Sequence, residues 1–121
     1  MPTDREKTTF YDHFAQDRPT RLGVWLVQGV SRRIFEFSGI RRGDRVLEIG
    51  PGRGVFTDLC LEAGAEYQAI EPNREMADQL RNRGVNVVNA IVPPMPEFGG
   101  AFDVVVMNTV IEHMNTMVDA L

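Results

Sequence analysis

Glu48, Gly50, Gly52, Gly54 and Glu71 are the residues of this chain best spaced for chemistry. They set two carboxylates around a glycine-rich turn in Arg45-Val46-Leu47-Glu48-Ile49-Gly50-Pro51-Gly52-Arg53-Gly54-Val55-Phe56-Thr57. Glycine accepts φ > 0 and lets a ligand approach the backbone without meeting a Cβ, and a helix N-terminus beyond the turn offers unpaired N–H groups. This is the chemistry of holding a cofactor. Glu71 lies a little under twenty residues past the turn, where a carboxylate accepting from two vicinal ribose hydroxyls belongs. A second reading has Glu71 capping a helix from Asn73 to Arg83.

Those residues need elements to position them. Val46, Leu47 and Ile49 form a short apolar run suited to a strand buried on both faces, and Phe56, Leu59, Cys60 and Ala63 recur at helical spacing just after the turn. Tyr67, Ala69 and Ile70 predict a second strand that Pro72 stops at Glu71-Pro72-Asn73. Val85, Val87 and Val88 predict a third, closing at Asn89-Ala90 before the irregular Pro93-Pro94-Met95-Pro96. The fourth strand, Phe102–Met107, leads into Asn108-Thr109-Val110-Ile111-Glu112-His113-Met114. Upstream, Leu22, Leu26, Val30, Ile34 and Phe37, with Trp25 beside them, predict one amphipathic helix whose stripe packs on the core and which ends before Gly39. Arg41-Arg42-Gly43-Asp44-Arg45 reads as a solvated connector with no ligand.

The turn is G-x-G-x-G, with its third glycine one residue too early for the dinucleotide fingerprint, which disfavours a nicotinamide or flavin oxidoreductase. With an acid two residues before the first glycine, it resembles motif I of the class I S-adenosylmethionine-dependent methyltransferases. FDVVVMNTVIEHM resembles their fourth motif, in the small-molecule branch, and Thr9-Phe10-Tyr11-Asp12-His13-Phe14-Ala15 resembles the Tyr-Asp-x-x-Ala segment that begins many of them. The resemblance implies an α/β, Rossmann-like, doubly wound parallel sheet of order 3-2-1-4 over residues 41–121, preceded by an N-terminal helical lid or cap over residues 1–40, all in a single domain. It implies S-adenosylmethionine as cofactor and S-adenosylhomocysteine as product. Glu48, Gly50, Gly52, Gly54 and Asn108 would surround the methionyl end, with Glu71 and Pro72 at the ribose. Asn89 and Ala90 would lie at the adenine, and Tyr11 would close over the pocket. Asn89 stands where the family often has aspartate, so its carbonyl oxygen would accept from the adenine amine without charge assistance; an ordinary turn asparagine is the alternative. Tyr11 and His13 alternatively belong to a helix that merely packs.

The implied reaction is direct displacement on the sulfonium methyl by an oxygen, nitrogen or carbon nucleophile, which needs no covalent enzyme intermediate. His13 and His113 are weak candidates for a base, since adjacent helical residues such as Glu112 and His113 point in different directions. An Asn-Pro-Pro-Tyr type sequence for gripping nucleobase amines is missing after the fourth strand. Cys60, the only thiol, sits away from that strand and reads as a small buried residue, which excludes cytosine C5 chemistry. A small-molecule acceptor follows by elimination.

Composition narrows the setting. There are 17 acidic and 13 basic side chains for a formal net charge of −4, which gives no general attraction to nucleic acid and makes it an unlikely partner. No apolar run is long enough for a membrane span, and no signal-peptide core opens the chain. One cysteine and no Cys/His cluster at ligand spacing imply neither disulfide nor metal, and a cytoplasmic enzyme is expected. In 121 residues the chain supplies four strands where the family completes seven. The fourth would then be an edge with interior-strand residues, so self-association through it, or continuation of the natural protein past Leu121, is expected. A non-catalytic module binding cofactor or partner is the alternative function.

Overall fold

In a computed structural model the described residues are 21–107, with side-chain detail from Gly29 onward. The element order is α1 (Arg21–Ser38), β1 (Arg45–Ile49), α2 (Val55–Glu62), β2 (Glu66–Glu71), α3 (Arg74–Asn82), β3 (Val87–Asn89) and β4 (Val104–Met107). The four strands form one parallel sheet of order β3-β2-β1-β4. Strand β1 is central, paired with β2 on one side and β4 on the other, and every residue from Val46 to Ile49 is buried, as a strand covered on both faces requires.

The period of two along the strands sorts side chains into two cores. Val46, Tyr67, Ala69, Val87 and Val106 face α2 and α3, where they meet Phe56, Cys60, Ala77 and Leu80. Leu47, Ile49 and Ile70 face the other way and are covered by Val92, Phe98, Phe102 and Met107. That second cover comes from the β3–β4 connection and β4, so among the described residues one face of the sheet carries helices and the other an irregular, proline-rich segment. Phe98 and Phe102 meet edge to face at 5.5 Å, and Arg45 lies 4.9 Å above the Phe102 ring. The chain walks from β1 outward to β3 and then returns to the far side of β1, which leaves a topological switch point beside β1 at the carboxyl ends of the strands.

Three sequence expectations shift. The inward stripe of α1 keeps Ile34 but not Val30 or Phe37: Val30 is 50% and Phe37 95% exposed, while Ser31 is buried and Ile34 and Phe35 pack on the core. The helix is set by Phe35, whose ring meets Phe56 edge to face at 6.0 Å, and the small Ser31 one turn earlier lets it approach. That defines an i, i+4 stripe displaced by about one position from the apolar count. Strand β4 begins at Val104, because Phe102 turns into the second core and Asp103 closes a bracket with Arg45, its N–H donating to the Arg45 carbonyl and its carboxylate accepting the Arg45 N–H, both at 2.8 Å. Val105 is 52% exposed, so β4 is not buried as an interior strand would be; it is the sheet edge among the described residues. Strand β3 is only Val87–Asn89, with the buried Val85 before it.

Candidate functional site

The glycine turn connects β1 to α2 at the switch point. Gly50, Gly52 and Gly54 all have positive φ, at 77°, 57° and 86°. Gly54 is the N-cap of α2, and a Cβ there would lie 2.9 Å from Leu80 Cδ2 and 3.0 Å from Arg83 Nη1. A Gly54→Ala substitution therefore combines left-handed strain with overpacking against α3. We expect it to lower stability by about 2 kcal/mol, measured by urea unfolding. By contrast a Cβ at Gly52 would meet open space, so that glycine is set by its backbone conformation alone.

The amides of the turn are not displayed as an anion nest. Gly50 N–H donates to the Ile70 carbonyl at 2.8 Å, Gly54 N–H to the Pro51 carbonyl at 3.0 Å, and Gly52 N–H to Glu71 Oε2 at 3.2 Å. All three glycine donors are engaged inside the protein. The Gly52 amide is thus taken by a carboxylate and is not left free for an anion.

Glu71 ends β2 and is 4% exposed. Its other oxygen, Oε1, accepts the Asn73 N–H at 3.2 Å. Burial raises the carboxyl above the ordinary range, opposed by the Asn73 and Gly52 amides. The helix cap is Asn73 and not Glu71: Asn73 Oδ1 accepts the Met76 N–H at 2.8 Å, which leaves Glu71 bridging the glycine turn to the start of α3. Pro72 is half-buried between them.

Asn89, at the end of β3, donates its side-chain amide to the Glu71 carbonyl at 2.9 Å and the Pro72 carbonyl at 3.1 Å. Both partners are acceptors, so the nitrogen must face them and the exposed side-chain oxygen turns away. The carbonyl that sequence reasoning assigned to an adenine amine is thereby presented outward. Ala90 follows it, partly buried against the second core.

Glu48 is 1% exposed and lies on the helix-covered side of β1, beneath the turn. Its Oε1 accepts from Tyr67 Oη at 2.6 Å and Thr57 Oγ1 at 3.1 Å, and those two hydroxyls are themselves 2.8 Å apart. Burial pushes the Glu48 carboxyl up to about 7; the two hydroxyls pull it down and the Glu71 charge raises it further. Tyr67 and Thr57 escaped the sequence reading, since an isolated Tyr in a strand and a Thr in a helix carry no spacing signal. Only the parallel register of β1 on β2, with Val46 opposite Tyr67, brings the phenol to Glu48.

Cys60 is fully buried among core residues, and burial pushes its thiol up to about 12, so it is an inert packing residue. Tyr11, His13, Asn108 and His113, together with Glu112, lie outside the described residues. The nearest described point to Asn108 is Met107, the last residue of β4, paired with Ile49. No helix among the described residues is long and apolar enough to cross a membrane, and none of their His, Cys, Asp and Glu side chains cluster to hold a metal ion.

A parallel sheet of this order, with a glycine turn at its switch point, is a Rossmann-like α/β arrangement. The methyltransferase domain family matches residues 11–121, and the chain belongs to it; the cofactor of the family is S-adenosylmethionine. Among curated proteins, ribosomal RNA small subunit methyltransferase A of Chlorobaculum tepidum is 40% identical over 67 residues, which is 55% of this chain and 24% of that protein. The enzyme of the same description from Opitutus terrae is 49% identical over 57 residues, 46% of this chain and 21% of that one. The aligned stretches thus span about a quarter of these relatives. Among solved structures, magnesium protoporphyrin IX methyltransferase from Synechocystis PCC 6803 with bound cofactor superposes with a TM-score of 0.72 at 17% identity, covering 94% of this chain and 65% of that one. A dimethyladenosine transferase from Plasmodium falciparum gives 0.57 at 25% identity, over 66% of this chain and 31% of its own.

Proposed function

We propose that the chain binds S-adenosylmethionine across the carboxyl ends of β1, β2 and β3 and serves methyl transfer to an oxygen, nitrogen or carbon nucleophile of a small molecule, leaving S-adenosylhomocysteine. The observation that carries this reading is Glu71, a buried carboxylate holding the Gly52 amide at the heart of the turn. A carboxylate there suits a cofactor that brings hydroxyl donors and positive charge.

In this reading Glu71, with Pro72 shaping the bend, accepts from the ribose hydroxyls, and the outward oxygen of Asn89, beside Ala90, accepts from the adenine amine. Gly50, Gly52 and Gly54 give the methionyl end close access to the backbone, with Glu48 bracing the turn from below; Asn108 and Tyr11 complete the enclosure. The bound sulfonium supplies an electrophilic methyl, so the chain's own contribution is to hold two reactants in line, with His13 or His113 as candidates to take a proton from a weak nucleophile.

The small-molecule acceptor rests on the sequence after β4, Asn108-Thr109-Val110, which has no proline pair for gripping a nucleobase amine, and on the net charge of −4. A second reading, an RNA base as acceptor, is favoured by the relatives of 40% and 49% identity, which are named as ribosomal RNA methyltransferases. Incubation with methyl-labelled cofactor separates them. Label in a low-mass fraction of a metabolite extract supports the first; label in acid-precipitable ribosomal RNA overturns it in favour of the second. Calorimetric titration with S-adenosylhomocysteine, with NAD as control, tests the cofactor assignment itself. Binding of NAD in preference would reject it.

A further inference from the structure

The hydrogen-bonded triangle beneath the glycine turn has a proton requirement that its geometry imposes. Glu48 Oε1, Thr57 Oγ1 and Tyr67 Oη are mutually within 2.6 to 3.1 Å, giving three oxygen–oxygen contacts. With Glu48 as a carboxylate, the two hydroxyls have only two protons to share. Either way one contact sets lone pair against lone pair: the 2.8 Å Thr57–Tyr67 contact if both go to Oε1, or the 3.1 Å Thr57–Glu48 contact if Thr57 turns its proton to Tyr67. A third proton on Oε1 reverses the Thr57–Glu48 bond and satisfies every contact: Glu48 donates to Thr57, Thr57 to Tyr67 and Tyr67 to Glu48.

The position of the triangle gives that proton a consequence. Glu48 is two residues before Gly50, and Thr57 is in the first turn of α2, three residues after Gly54. Their hydrogen bond joins the two stems of the glycine turn, and Tyr67 ties both to the neighbouring strand. We propose that Glu48, Thr57 and Tyr67 form a proton-dependent clasp: the protonated triangle holds the glycine turn closed and preorganised, and release of the Glu48 proton to solvent loosens the turn and weakens its hold on the cofactor. Thr57 and Tyr67 are thus positioning residues acting through the turn. The inference rests on the cofactor reading given above.

The surroundings favour a neutral Glu48. Titratable groups facing it are Tyr67 and Glu71 from β2 and Cys60 from α2, and none of these is a cation. Strand β4 brings Val106 opposite Glu48, and α3 brings Ala77 and Leu80 to the same core. The Arg83 guanidinium at the end of α3 is exposed and paired with Asp58. A buried carboxylate without a cation loses its proton only by admitting water or separating its partners.

The test is calorimetric affinity for S-adenosylhomocysteine at pH 6 and pH 8.5, in the wild type and in Glu48→Gln, Thr57→Val and Tyr67→Phe. The neutral thioether keeps sulfonium charge out of the comparison, and titration of the ligand is common to all four proteins. Affinity of the wild type is expected to fall about tenfold more across this interval than that of Glu48→Gln, which has no proton to lose, with the other two variants intermediate. Parallel pH profiles for wild type and Glu48→Gln overturn the clasp while leaving the cofactor reading intact. Should no protein bind, that reading fails, and the clasp is decided on the unliganded chain by amide exchange at Gly52 and Gly54. Exchange that accelerates between pH 6 and 8.5 beyond the intrinsic base-catalysed increase, in wild type but not in Glu48→Gln, supports it; identical protection refutes it.

Discussion

Replacing Glu71 by alanine is expected to reduce affinity for S-adenosylhomocysteine by about 100-fold or more. In the proposed cofactor reading, two charge-assisted bonds from ribose hydroxyls to one buried carboxylate, each worth roughly 1.5 to 3 kcal/mol, would be lost together. A second effect adds to the loss, since Glu71 is the acceptor for Gly52 N–H at 3.2 Å and Asn73 N–H at 3.2 Å, so its removal frees the turn and the start of α3 at once. Glu71→Gln separates these effects. One amide oxygen can still accept one of the backbone donors, but its NH2 opposes the other and offers no charge to the ribose. Calorimetry on both variants, with circular dichroism to confirm that each is folded, checks the prediction. A folded Glu71→Ala chain that keeps affinity within threefold of wild type would remove Glu71 from the ribose.

Stability should fall with rising pH because of Glu48. Its folded value of about 7 lies above the ordinary 4.5, chiefly through burial, so between these limits the native state holds a proton that the unfolded chain releases. The sign follows from linkage: stability decreases wherever the native state binds more protons, so the contribution is whole below about pH 4.5 and is lost as pH rises through about 7. A gap of this size is worth about 3 kcal/mol in total, most of it lost between pH 5 and pH 8. Glu71 is raised too and acts in the same sense, so the difference between wild type and Glu48→Gln isolates Glu48. Urea unfolding at pH 5 and pH 8 should show the variant gaining roughly 2 to 3 kcal/mol on the wild type across that range. An unchanged difference would mean that Glu48 is not a buried proton carrier.

The two predictions differ in how early their residues are visible. Glu71 can be picked out from the chain because the chemistry that needs it is local: a strand ended by Pro72, at the right distance beyond a glycine turn, leaves an acid at a strand terminus. Glu48 is visible as an acid before the first glycine, yet its partners are not. Tyr67 is one of several apolar-looking residues in β2, and Thr57 is one of eight residues in a short helix. Asn89 lies between these cases. Its place at the end of β3 follows from the valines before it, but only the two carbonyls of Glu71 and Pro72, brought over by the β2–β3 pairing, decide which end of its amide faces out. The misphased stripe of α1 has a similar origin. Val30 and Phe37 are as apolar as Phe35, and periodicity counts them equally; contact with Phe56 selects Phe35 and leaves Phe37 almost wholly in solvent.

By itself the amino-acid sequence determined the parallel α/β class, the strand order 3-2-1-4 through its resemblance, the glycine turn and the cap region of α3, because these depend on hydrophobic period, backbone permissiveness and short-range spacing. Only the tertiary structure decided that the turn's glycine amides are spent on Ile70, Pro51 and Glu71, and that Glu48 shares its protons with Thr57 and Tyr67. The pairs Gly50–Ile70, Gly52–Glu71 and Glu48–Tyr67 join residues about twenty apart and are chosen by strand register and helix packing. A change of one residue in either would have given the same pattern of apolar and polar letters a different site.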